Sequence, residues 1–173
     1  ALLAGCGGMS REWLKFLQQV EGVEVVGLVD VIEENTRARA QEFGLEGVYT
    51  GSDISKALNT ISPDIVFDVT VPEAHVDITL AALEQGCHVL GEKPMADSME
   101  NARKMISAAE KAGKIYSVIQ NRRYDTRIRR LRRFIETHYA AVKQDLATAF
   151  VERCREFCAP GGTAVLVTPQ NWL

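Results

Sequence analysis

The chain of 173 residues is poor in cysteine, in long apolar runs and in charge of one sign. Its four cysteines, Cys6, Cys87, Cys154 and Cys158, are scattered and make no disulfide framework, which points to a reducing compartment and a cytoplasmic location. Cys154 and Cys158 stand one helical turn apart. No second Cys or His pair lies at a zinc-site spacing, so they read as core packing and no metal is expected. No apolar run approaches the roughly 20 residues that span a bilayer. A net charge of −3 lacks the basic surplus of a nucleic-acid or membrane-surface protein. The chain opens inside an apolar run without an initiating Met, so its N-terminus is expected to lie upstream, together with any export signal. Hydrophobic content of 46% is ordinary, and the length suffices for one domain with a core, or one plus a fragment.

Glycine is not scarce where it counts. The first ten residues, Ala1-Leu-Leu-Ala-Gly-Cys-Gly-Gly-Met-Ser10, run an apolar strand into Gly5-Cys6-Gly7-Gly8, with a helix expected to open near Met9. Gly5 permits a sharp turn, and Gly7, without a Cβ, lets a pyrophosphate approach the backbone. A helix start offers that phosphate free N–H groups and a positive dipole end. Ser10 stands where the G-x-G-x-x-G/A fingerprint has its last small residue. The next apolar run, Val23 to Val29, ends at Asp30, about where an acidic residue meets an adenosine ribose. A carboxylate there would bond both ribose hydroxyls and repel a 2′-phosphate, favouring NAD over NADP. Arg37 lies nearby but inside a predicted helix, so NADP stays possible.

Strand and helix patterns then alternate with short links. Helices are expected over Arg11–Val20 (with Trp13, Leu14, Phe16 and Leu17 on one side), Glu33–Phe43, Ser52–Asn59 with Ser52 as cap, Glu73–Gln85, and from an Asp97 or Ser98 cap to Lys111. Strands are expected over Val23–Val29, Gly47–Thr50, Asp64–Thr70, Cys87–Leu90 and Lys114–Gln120. Near-continuous apolar strands between amphipathic helices predict the α/β class, a doubly wound parallel sheet covered on both faces. In such a sheet ligands meet the carboxyl ends of the strands. Those ends carry the glycines, Asp30, Thr70-Val71-Pro72-Glu73-Ala74-His75, Glu92-Lys93-Pro94 and Gln120-Asn121-Arg122-Arg123-Tyr124.

Taken together, these strand ends closely resemble the glucose–fructose oxidoreductase/inositol dehydrogenase family, Gfo/Idh/MocA. The run Gly86-Cys87-His88-Val89-Leu90-Gly91-Glu92-Lys93-Pro94 matches the family's G-x-H-V-(x)2-E-K-P, the most specific motif of the set. The resemblance covers roughly residues 1 to 137. It implies an NAD(P)-binding Rossmann fold in an oxidoreductase acting on sugars, polyols or related compounds. It also implies that Lys93 is catalytic, holding a substrate hydroxyl and stabilising developing negative charge, with burial beside other cations easing its proton exchange. The cofactor site it implies comprises Gly5, Cys6, Gly7, Gly8, Met9, Asp30, Thr70, Val71, Pro72, His75, Glu92, Lys93, Pro94, Asn121 and Arg122. The expected organisation is a dinucleotide domain over 1–121, an Arg-rich linking helix over 122–138 and a tail over 139–173.

The resemblance implies a second domain, a large sheet with a D-x-x-x-H pair. After His138 there is no histidine, and Asp145 is the one aspartate. The chain is therefore expected to bind a dinucleotide but to turn over slowly or not at all, and its oligomeric state stays open. The Phe150-Val-Glu-Arg…Pro160-Gly-Gly…Val167-Thr-Pro-Gln-Asn-Trp-Leu173 run resembles a segment of adenine-specific DNA methyltransferases, without their N-P-P-Y motif. An S-adenosylmethionine-dependent methyltransferase piece and a non-catalytic nucleotide-binding module are thus the rival readings. Arg122, Arg123, Arg127, Arg129, Arg130, Arg132 and Arg133 could meet phosphates. Within the oxidoreductase-like stretch they read better as a solvated helix, and no nucleic-acid or membrane partner is expected.

Overall fold

A computed structural model describes residues 1–120 and 125–140. The chain divides into two compact units, Ala1–Ile119 and Gln120–Leu173. In the first unit, strands and helices alternate without exception: β1 (Leu2–Ala4), α1 (Ser10–Leu17), β2 (Gly27–Val29), α2 (Glu33–Glu42), β3 (Tyr49–Gly51), α3 (Ile54–Ile61), β4 (Ile65–Asp68), α4 (His75–Glu84), β5 (His88–Gly91), α5 (Met99–Ala112) and β6 (Tyr116–Val118). All pairings are parallel, in the order β3-β2-β1-β4-β5-β6. The expected doubly wound sheet is therefore present. Its strand order reverses between β1 and β4, where such sheets open a crevice at their carboxyl edge.

The two faces of the sheet separate residue by residue. Leu2, Ala4, Val66 and Val89 pack with Ala57 and Leu58 of α3, Leu83 of α4 and Ala109 of α5. Leu3, Leu28 and Phe67 face the other way, onto Trp13, Leu14 and Leu17 of α1 and Ala40 of α2. This is the period-two alternation of a strand with a core on each side. The buried stripe of α1 omits Phe16, which is 72% exposed, contrary to the expected four-residue stripe. At 100° per residue Phe16 lies roughly 105° from the centre of the Trp13–Leu14–Leu17 stripe, beyond its border.

Helix ends follow the local chemistry. Asp53, rather than the expected Ser52, caps α3 by accepting the Lys56 N–H at 3.0 Å. Ser98 caps α5 by accepting the Asn101 N–H, and Gly113 closes it in the left-handed conformation at φ +64°. The strands are shorter than the apolar runs; β2 holds only Gly27–Val29 of the run Val23–Val29. In the second unit, α6 (Thr126–His138) is capped by Asp125, which accepts the Arg127 N–H at 2.8 Å. Ile135 and Tyr139 are buried. Arg129, Arg130, Arg132 and Arg133 are solvent-exposed, and Arg132 pairs with Glu136. The methyltransferase-like stretch lies outside the described residues.

Candidate functional site

The carboxyl edge at the strand-order reversal is built around the loop after β1. Gly5 turns there at φ +93°, and a Cβ on it would stand 2.6 Å from the Val69 carbonyl group and 2.8 Å from the Thr70 nitrogen. Glycine is thus required at this position by the close passage of the loop after β4. Gly7 and Gly8 differ: a Cβ on either would meet nothing within 4 Å. Among the described residues neither Gly7 N–H nor Gly8 N–H has a partner. Met9 is the N-cap of α1, and fully buried Ser10 opens the helix and donates its hydroxyl to the Gly7 carbonyl at 2.6 Å.

Two charged side chains hold this loop by one residue. The Cys6 N–H donates to Asp30 Oδ2 at 2.7 Å, and the Cys6 carbonyl accepts from the Arg39 guanidinium at 3.0 Å. The same Arg39 nitrogen reaches the Gly7 carbonyl at 3.2 Å. Arg39 is buried and also pairs with Glu42, which pairs with Arg11 of α1 at 2.8 Å. Asp30 Oδ1 accepts from the Ile32 N–H at 2.9 Å and the Asn35 amide at 3.1 Å. A carboxylate has about four acceptor positions, so Oδ2 keeps one open. The Cys6 thiol is pushed up to about 12 by burial, then by the adjacent Asp30 charge, with Arg39 opposing. It stays a neutral thiol, and Cys6 serves this loop through its backbone.

The edge at β4 and β5 is organised differently. Asp68, the last residue of β4, is fully buried. Its Oδ1 accepts the Thr70 hydroxyl at 2.5 Å and the Thr70 N–H at 3.2 Å, and its Oδ2 lies 3.0 Å from His75 Nδ1. His75, the first residue of α4, is itself buried, and its Nε2 has no partner among the described residues. Tyr116 of β6 donates its hydroxyl to the Met95 carbonyl at 3.3 Å, and burial and then the Asp68 charge push it up to about 12. Glu92 is buried; its Oε1 accepts the Trp13 indole N–H at 2.9 Å, and its Oε2 accepts the Lys93 N–H at 3.2 Å. Pro94 follows Lys93 through a cis peptide bond and is exposed.

Lys93 itself projects outward. Its side chain is 55% exposed, and its ammonium lies 4.0 Å from Glu92 Oε2. The expected burial beside other cations is not found in the first unit: the loop tip lies at the surface, and the paired group is an anion. Val31 and Val71, following β2 and β4, are 90% and 61% exposed, and Ile32 is also exposed, so three large apolar side chains open to solvent at this edge. Pro72 is half-buried beside Val71. Arg37 points to solvent and pairs with Glu33. Asn121 and Arg122 lie outside the described residues.

The sequence reading assigned Arg39 and Asp68 no role and marked Trp13 only as helix packing. A signal for Arg39 was present: Thr36, Ala40 and Phe43 mark the inward face of α2, and position 39 lies on it. Asp68 was a lone acid ending an apolar strand. The Trp13–Glu92 contact joins residues 79 apart, and no local pattern marks it.

Residues 1–120 match the family model GFO_IDH_MocA, described as an oxidoreductase family with an NAD-binding Rossmann fold. The chain is 33% identical over 126 residues to a D-apiose dehydrogenase of Paraburkholderia graminis, covering 73% of this chain and 33% of that one. It is 34% identical over 136 residues to an inositol 2-dehydrogenase of an Arthrobacter species, covering 78% of this chain and 40% of the relative. A solved WlbA dehydrogenase of Bordetella pertussis, in complex with NADH and UDP-GlcNAcA, superposes with a TM-score of 0.70 at 25% identity, over 79% of this chain and 39% of that one. The chain spans less than half the length of these curated relatives.

Proposed function

The chain belongs to the Gfo/Idh/MocA oxidoreductase family through its NAD-binding Rossmann domain, and on that premise we propose that it binds NAD along the carboxyl edge of its sheet, as the cofactor-bearing part of a sugar- or polyol-directed dehydrogenase. The observation that carries this reading is the loop after β1: two adjacent glycine N–H groups without a partner among the described residues, at the start of a helix, on glycines whose Cβ positions are open. This is the chemistry a pyrophosphate needs. The site fits the adenosine half as well. Asp30 keeps an acceptor for a ribose hydroxyl, and Asn35 is the donor a second hydroxyl would replace. Exposed Val31, Ile32 and Val71 offer apolar faces to an adenine. The Asp30 carboxylate disfavours a 2′-phosphate, so NAD is preferred to NADP.

The remaining residues take roles by place. Thr70, Val71, Pro72 and His75 form the wall after β4, with Asp68 holding Thr70 from behind. Glu92 holds the loop that carries Lys93, and Pro94 restricts the backbone there. NAD supplies a hydride acceptor at its nicotinamide. The exposed Lys93 ammonium would donate a hydrogen bond to a substrate hydroxyl and steady negative charge developing on that oxygen. Asn121 and Arg122, which follow β6 in sequence, are the further cofactor residues that the family resemblance implies. The dinucleotide domain would run over 1–121, followed by the Arg-rich helix over 122–138 and the tail over 139–173.

Calorimetric titration of the purified chain with NADH, NADPH and S-adenosylmethionine tests the proposal. NADH should bind more tightly than NADPH, and Asp30→Ala should weaken NADH binding about tenfold, the loss of one charge-assisted hydrogen bond. Binding of S-adenosylmethionine alone would overturn it.

A further inference from the structure

We propose that Arg39 is a positioning residue for the dinucleotide, holding the glycine loop so that its free N–H groups face the pyrophosphate; this rests on the NAD-binding reading above. A trans peptide sets a carbonyl and the N–H that follows it on opposite sides. Arg39 draws the Cys6 carbonyl at 3.0 Å and the Gly7 carbonyl at 3.2 Å toward the sheet side of α2. That turns the Gly7 N–H and the Gly8 N–H away from Arg39, and neither has a partner among the described residues. The Cys6 N–H, facing the other way, is taken by Asp30 Oδ2. Asp30 and Arg39 thus hold one peptide stretch from both ends, and two adjacent donors are left over.

The arrangement is built for this task. Arg39 is more than nine-tenths buried, and its Nε has no partner among the described residues. A buried guanidinium with an unused donor is costly unless its charge is used. Glu42 offsets it from one side and is itself shared with exposed Arg11. The net result is a cation lying one peptide layer behind the position of the phosphates. A neutral side chain of similar size would fill the space but supply neither the carbonyl bonds nor the charge. Arg39 therefore acts on phosphate, through the loop, and not on adenosine.

The test uses the full chain with Arg39→Met and Arg39→Lys, titrated with NADH, ADP and adenosine, with melting temperature read in parallel. In whichever variant remains folded, NADH and ADP should weaken at least fivefold while adenosine changes less than twofold. Unchanged NADH affinity, or adenosine weakening in step with NADH, would overturn the proposal. Amide hydrogen exchange on the unaltered chain gives a second reading that needs no variant. Gly7 and Gly8 should exchange fast without NADH and slow with it, and protection before NADH is added would overturn their orientation away from Arg39. If the unaltered chain binds no NADH at all, the NAD reading fails first, and the exchange result still judges the loop geometry.

Discussion

The two ends of the carboxyl edge use the same device to opposite effect. In the loop after β1, the half-buried carboxylate of Asp30 takes the Cys6 N–H and keeps an open acceptor. Arg39 takes the Cys6 and Gly7 carbonyls, and the Gly7 and Gly8 N–H groups have no partner among the described residues. In the loops after β4 and β5, the carboxylates of Asp68 and Glu92 also take backbone N–H groups, those of Thr70 and Lys93. Both are buried, and they spend their remaining capacity on the protein's own Thr70, His75 and Trp13. The first region leaves backbone donors without an internal partner among the described residues. The second presents side chains, chiefly Lys93, on loops fixed from within. An anion-binding surface needs donors with no internal partner, whereas a reacting group needs a support that does not move.

The sharpest way to break this contrast is within the glycine loop. Gly5→Ala should destabilise the domain by about 3 kcal/mol, since its Cβ would enter the Val69 carbonyl group in a left-handed conformation. Gly7→Ala should leave stability within about 0.5 kcal/mol while weakening NADH binding. Urea denaturation beside NADH titration reads both; equal loss of stability in the two variants would erase the distinction between packing and ligand-facing glycines.

The second region is tested by Asp68→Ala. It leaves the Thr70 N–H and buried His75 without their acceptor, at a cost of about 2–3 kcal/mol. Because Asp68 faces inward, NADH affinity in the folded fraction should fall far less than in Asp30→Ala. A larger loss of NADH affinity from Asp68→Ala would mean that Asp68, not Asp30, faces the ligand.

The smallest effect concerns pH. A thiol pushed up by burial stabilises the fold fully below its unfolded value of about 8.5, and this is lost as pH rises toward the folded value. With Cys6 raised to about 12, the parent should lose on the order of 1 kcal/mol between pH 8 and 9.5 that a Cys6→Ala chain keeps. Parallel pH–stability curves for the two chains would show that the thiol is not buried as described.

Much of this site could be read from the chain. The strand–helix alternation, the glycine loop and the position of Asp30 at a strand end all rest on local patterns: period-two runs, glycines at a strand end, an acid at the next strand end; the reversal of strand order between β1 and β4 does not. Where the pattern was local but coarse, details slipped. Asp53 rather than Ser52 caps α3, and Phe16 faces water. The internal supports were illegible for a different reason. Arg39 in a polar helix and Asp68 at the end of an apolar strand each look like ordinary charges, and the E-K-P motif marks Glu92 without showing that it holds Trp13. Only the parallel pairing of β4 with β1 and β5, and the docking of α1 on the sheet, bring Trp13 to Glu92 and His75 to Asp68.

The measurement that bears most directly on the account is an amide NMR titration of the labelled chain with NADH. The account expects the largest shifts at Gly7, Gly8 and Thr70, with Gly44 and Gly113 unmoved at their distant helix ends. Shifts gathered at those helix ends, with the loop after β1 silent, would contradict it.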